Sequence, residues 1–180
     1  MTDRKGDWIQ TFTGRQFWPL DPRADEIDIA DIAHSLSMQC RYNGHCKRFY
    51  SVAEHSVQVC WSASPANKLV ALLHDAGEAY LCDLPRPVKR SVTGYAEAEA
   101  EVEFYIAQKF GLPCPLPDEI HELDHRICLD EREQIMGPLP APWGEPFCSL
   151  QPLGVTLNCW QPEIAEKWFL HMFDVCGGKR

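Results

Sequence analysis

Apolar residues recur at three- and four-residue intervals through most of this chain, and nearly every such run stops at a glycine or a group of prolines. That pattern confines the fold to amphipathic helices joined by stiff links. Ile29, Ile32, Ala33, Leu36 and Cys40 predict a first helix over about 26–40. Ser51-Val-Ala-Glu54 reads as a capping box, and Val52, His55 and Val59 carry a second helix over about 52–63. Ser64-Pro65 starts a third, whose apolar positions continue from Leu69 to about Tyr80. Asp83-Leu-Pro-Arg-Pro-Val-Lys89 reads as a loop because of its prolines. A long helix from Tyr95 to Phe110 ends at Gly111, another covers about 118–136, and a last one runs from Pro162 to Phe173. Leu153 to Cys159 is the one plausible strand, so the class is all-α. Ahead of the bundle, Trp8, Ile9, Phe12, Phe17, Trp18 and Leu20 are interrupted by Gly14, Pro19 and Pro22. They predict an extended or short β-like arm over residues 1–27 that packs onto the domain.

A chain of 180 residues, 45% of them hydrophobic, is long enough to bury one substantial core without a disulfide or metal staple. The formal charge of −9 and the lack of a Lys/Arg-rich run speak against polymeric nucleic acid and an anionic membrane as partners. They leave room for a small anionic ligand, since a few cations or a metal ion can reverse the sign inside a cleft. Nine cysteines make an odd number, and none stands in a C-x-x-C pair. They read as reduced thiols of a cytoplasmic protein rather than a disulfide framework or a zinc ribbon. Met1 to Trp18 contains no apolar export region, and no membrane span is visible.

Chemistry enters with the histidines. His55 follows Glu54, His74 precedes Asp75, and His125 follows Asp124. His34, His45 and His171 read as ordinary helix or loop residues, although His45 beside Gly44 could touch a ligand. His74-Asp75 closes the apolar run Val70 to Leu73, and a charge buried there needs a partner, for which a metal ion is the simplest choice. Glu78 lies one helical turn on. Imidazole with carboxylate suits a first-row divalent ion better than calcium. His121-Glu-Leu-Asp-His125 is also a literal H-E-x-x-H, the zinc-protease pattern. That pattern is short, it holds an unusual interior aspartate, and it leaves His74-Asp75, Glu78 and the Asp83 loop unexplained.

Taken together these residues resemble the HD-domain phosphohydrolases, whose ligands arrive as an early His, a His-Asp doublet and a late Asp. The closest likeness is to bacterial 5′-deoxynucleotidases and phage dATP triphosphohydrolases. It is carried by Arg41-Tyr42, Ser51-Val-Ala-Glu-His-Ser56, His74-Asp-Ala-Gly-Glu78, Asp83-Leu-Pro-Arg-Pro-Val-Lys89 and Leu123-Asp-His-Arg126, over about residues 28–135. The resemblance implies a single-domain HD-type helical bundle in which His55, His74, Asp75 and Asp124 hold one divalent ion, whether Mn, Co, Zn, Fe or Mg. It further implies Glu78 and Asp83 as catalytic acids or bases. Arg41 and Lys89, with Arg86 less directly, would meet phosphate, and Tyr42 would stack on a base. The implied activity is hydrolysis at the 5′-phosphate of a small nucleotide, most simply a 5′-deoxynucleotidase. A triphosphohydrolase of the dATP type is the nearest alternative, and a nucleotide-sensing module without turnover the next. Helical proteins of this kind often form homo-oligomers. The arm is longer than in the nucleotidases it resembles, and the Pro-rich segment with its terminal helix, residues 137–180, has no counterpart in the resemblance.

Overall fold

The computed structural model describes residues 4–179 and is mostly helical. Met1 to Asp3, the start of the expected arm, and Arg180 lie outside the described residues. Eight α-helices follow one another: α1 (Ile29–Met38), α2 (Val52–Ser62), α3 (Lys68–Leu72), α4 (Glu78–Leu81), α5 (Arg86–Lys89), α6 (Tyr95–Phe110), α7 (Asp118–Ile135) and α8 (Pro162–Val175). None is long and apolar enough to cross a membrane.

The arm is a small antiparallel hairpin, β1 (Ile9–Gln10) paired with β2 (Gln16–Phe17). Phe17 is fully buried and stacks on Tyr80 at 3.9 Å, while Thr13 donates through its backbone and hydroxyl to Asp31 of α1 at 2.6 and 2.9 Å. The expected arm therefore packs on the helices.

α2 is the central helix, buried from Val52 to Cys60 and packed against α1, α3, α7 and α8. Ser51 Oγ accepts from the Glu54 N–H at 3.0 Å, as the capping box requires. Glu54 does not complete the box. Its carboxylate accepts instead from the backbone N–H groups of Asn158, Cys159 and Trp160 at 2.7, 3.0 and 2.6 Å.

The structure departs from the sequence expectation in three places. The third helix does not continue to Tyr80. His74 Nδ1 donates to the Ala71 carbonyl at 2.7 Å, taking the acceptor that the Asp75 N–H would use in an α-helix. The chain then proceeds by tighter turns, with Ala76 N–H to Leu73 and Glu78 N–H to Asp75 both 3.0 Å, before α4 begins. The proline loop after Asp83 contains one helical turn, α5, with Pro87 in its first turn, where its missing N–H costs nothing.

The third departure is the expected strand at Leu153 to Cys159, which is extended but unpaired with any strand. Side chains of α7 and α2 satisfy its backbone instead. Asp130 accepts from Leu153, Gly154 and Val155 at 2.7, 2.9 and 3.1 Å, and Gln134 and Gln58 bind further along. Asp130→Ala is expected to lower stability by about 2 kcal/mol, because three backbone donors lose their acceptor at once. Urea unfolding should show a lower midpoint at unchanged slope.

Candidate metal centre

His55 comes from the middle of α2, His74 and Asp75 from the tight turns after α3, and Asp124 from α7. Three chain segments distant in sequence thus place four side chains together. His55 Nε2 lies 3.3 Å from His74 Nε2, 3.3 Å from Asp124 Oδ1 and 3.5 Å from Asp75 Oδ2. His74 Nε2 is 3.3 Å from Asp75 Oδ2 and 4.0 Å from Asp124 Oδ1.

The outer hydrogen bonds decide which atoms can donate. Ala71 offers only a carbonyl, so His74 carries its proton on Nδ1. His55 Nδ1 is 2.7 Å from Glu131 Oε1. Burial opposes the charge of that carboxylate, yet Arg41 and His55 hold it below the usual range, so it is an acceptor and the imidazole donates. Both Nε2 atoms are therefore lone pairs when the rings are neutral, and they face two carboxylate oxygens with no donor among them. Such a set could hold a cation. Burial and Arg41 push the His55 imidazole towards neutrality, but Glu131 and Asp124 outweigh them and hold it up at about 9. A proton on His55 and a metal ion are thus competing ways to balance the charge. His55, His74 and Asp124 form a group that could hold a metal ion, with Asp75 beside it. Nitrogen and carboxylate donors fit a first-row divalent ion.

Asp75 and Asp124 also line a cleft of about 840 Å³, within the range of small-molecule sites, so the group opens into it. Arg41, Tyr42, Glu78, Asp83 and Lys89 line the same cleft. Arg86 lines it too, so the structure brings the ten sequence-selected residues together. The buried Arg41 guanidinium reaches Asp75 and Glu131, each at 3.4 Å, and its Nε has no partner among the described residues. Tyr42 donates its hydroxyl to Glu131. Burial, with Asp75 and Asp83 beside it, pushes the Glu78 carboxyl well above the usual carboxylate range, and its Oε2 is buried without a partner among the described residues. Burial raises Asp83 in the same direction. Lys89 is ion-paired with Glu99.

The other histidine pattern does not form a centre. His121 is exposed, and no group of three potential ligands includes it among the described residues. His125 packs edge-on against Phe147 at 5.6 Å between ring centres. All nine cysteines are free, as expected; Cys128 lines the cleft and touches Arg41 at 4.0 Å.

Sequence reasoning missed two polar residues that organise the site. Glu131 lies seven residues after Asp124, two turns along the same face of α7, and that spacing was its available signal. Gln39 donates to the Glu78 carbonyl and accepts from the Asp83 N–H, both at 3.0 Å, so one amide sets the spacing of two cleft carboxylates.

The fold and the site together define a mostly helical chain whose cleft carries a histidine and aspartate group that could hold a metal ion. No family model matches the chain. It is 39% identical over 129 residues to the uncharacterized protein YfdR of Escherichia coli strain K12, a match covering 71% of this chain and 72% of that protein. It is also 40% identical over 126 residues to an uncharacterized protein of Rhodobacter capsulatus, covering 64% of each. The chain belongs to the same family as YfdR.

Proposed function

We propose that this chain is a cytoplasmic HD-type, divalent-metal-dependent phosphohydrolase that cleaves the 5′-phosphate from a small nucleotide, most simply a deoxynucleoside monophosphate. The observation that carries the reading is the convergence of four lone-pair donors, from His55, His74, Asp75 and Asp124, at the wall of a cleft that also presents Arg41. A pure structural metal site has no need of a neighbouring guanidinium and two further carboxylates.

When bound there, a divalent ion supplies Lewis-acid polarisation of a phosphoryl oxygen and lowers the pKa of a bound water. The chain's own residues provide the rest. Arg41, which lines the cleft, donates to a phosphate oxygen. Glu78, whose carboxyl burial pushes upward, gives a proton to the departing 5′-oxygen, and Asp83 beside it exchanges protons with water or holds the sugar. Gln39 fixes both of these carboxylates through their backbones. Arg86, Lys89 and Arg90 also line the cleft, and these additional cations favour a triphosphate as the second substrate reading.

The test is turnover of nucleoside mono-, di- and triphosphates with Mn²⁺, Co²⁺, Mg²⁺ or Zn²⁺. Free phosphate should appear from monophosphates, and addition of EDTA should stop its release. Triphosphate release from a nucleoside triphosphate would select the second reading. Binding without any release above the EDTA control would instead make the chain a nucleotide sensor and overturn the hydrolase.

A further inference from the structure

Two aromatic rings in the cleft have no role in the proposed chemistry. Trp143 and Phe147 come from the proline-rich connection between α7 and α8, and both line the same cavity as Arg41, Asp75 and Asp124. They are half-buried and belong to neither hydrophobic cluster of the protein, so core packing does not account for them. The rings meet edge to face at 5.2 Å between centres. Each is also held by a guanidinium, Arg132 of α7 over Trp143 and Arg86 of α5 over Phe147, both at 5.4 Å. The connection is therefore folded back against both sides of the cleft, and its aromatic residues are fixed there by cations and by each other.

From this we infer that Trp143 and Phe147 form the surface that recognises the planar heterocycle of the substrate, and that this wall makes the site selective for nucleotides over other phosphate monoesters. The inference rests on the phosphohydrolase reading for the position of the phosphate. The polar end of the cleft, at Arg41 and the metal ligands, takes the phosphate, and the aromatic end takes the base. Indole and phenyl faces stack on any base, worth about 1–3 kcal/mol per base, or roughly 5- to 150-fold in affinity. Selection by stacking alone would discriminate base-bearing from base-free phosphates and would barely distinguish one base from another. Tyr42, the aromatic residue that the sequence resemblance suggested for this role, lines the same cleft and is anchored through its hydroxyl to Glu131.

Calorimetry can test the wall without turnover. The titrants are hydrolysis-resistant 5′-methylenephosphonates of 2′-deoxyadenosine and of 2-deoxyribose, added to the full chain with Mn²⁺ present. The base-bearing compound should bind about tenfold more tightly or better. Trp143→Leu, which keeps an apolar side chain, should remove most of that advantage without changing the affinity of the sugar phosphonate, and Trp143→Phe should restore much of it. Phe147→Leu should act in the same direction. Thermal unfolding of each variant shows that the fold persists. Equal affinity of the two titrants for the wild type, binding of neither, or a full advantage in Trp143→Leu would overturn the wall. If the advantage is present but deoxynucleoside monophosphates release no phosphate, the wall stands and the hydrolase falls. If phosphate is released while both titrants bind equally, the hydrolase stands and the wall falls.

Discussion

Asp124→Ala is expected to fold normally and to lose at least about 100-fold in divalent-metal affinity, while His121→Ala binds metal as the wild type does. The two residues are three apart on α7, yet the helix turns only Asp124 towards the centre. Its Oδ1 lies 3.3 Å from His55 Nε2. Burial works against its charge, but the hydrogen bond to His55 and the surrounding cations hold its carboxyl well below the usual range. His121 sits on the exposed side of the same helix, outside the ligand group. Asp124 is partly open to the cleft, so truncating it leaves no sealed cavity, and the loss should appear in binding and not in folding. Metal content after dialysis and calorimetric titration with Mn²⁺ measure both variants, and phosphate release should fall to background with the metal in Asp124→Ala. Equal loss in His121→Ala would restore the H-E-x-x-H pattern as the ligand set. Unchanged affinity in Asp124→Ala would remove Asp124 from the centre.

That contrast also shows which kind of information a linear sequence carries. Helix spans were legible because burial repeats locally: Val102 and Ile106 face the core four residues apart on α6, and Gly111, at φ +67°, ends that helix where only a residue without Cβ sits comfortably. His74-Asp75 was legible as chemistry because it follows a buried run, but its local conformation was not. A periodic pattern cannot reveal that an imidazole will take the Ala71 carbonyl and break the helix, although that break is what turns His74 Nε2 towards His55. The strap at residues 153–159 has the alternation of a strand, and among the described residues no neighbouring strand pairs with it; Asp130 and Glu54 supply acceptors from elsewhere in the chain. Trp143 and Phe147 carry no local signal at all. A proline-rich connection reads the same whether it points into solvent or, as here, lies across a cleft built by residues up to a hundred positions earlier.

Glu131 is the residue whose loss should do most damage to the protein itself. It is fully buried, and it is shared by the His55 ring at 2.7 Å, the Arg41 guanidinium at 3.4 Å and the Tyr42 hydroxyl. Glu131→Ala removes the common acceptor and leaves a buried guanidinium with Asp75 as its remaining carboxylate partner among the described residues, together with an unpaired imidazole N–H and hydroxyl. A cost of about 3–5 kcal/mol is expected, read as a lower urea midpoint. Glu131→Gln keeps the volume and an oxygen for His55 Nδ1, and Tyr42 can turn to accept from the new amide, but Arg41 Nη2 loses its acceptor there, so only part of that stability should be retained. The charge is lost all the same. Without a carboxylate behind it, His55 is a weaker base and its orientation is less fixed, so metal affinity should fall about 10- to 100-fold in a variant that remains folded. This separation assigns the role. A purely structural Glu131 would alter the unfolding midpoint in both variants and leave the metal affinity of folded Glu131→Gln unchanged; a positioning residue behind a metal ligand lowers that affinity in a variant that remains folded.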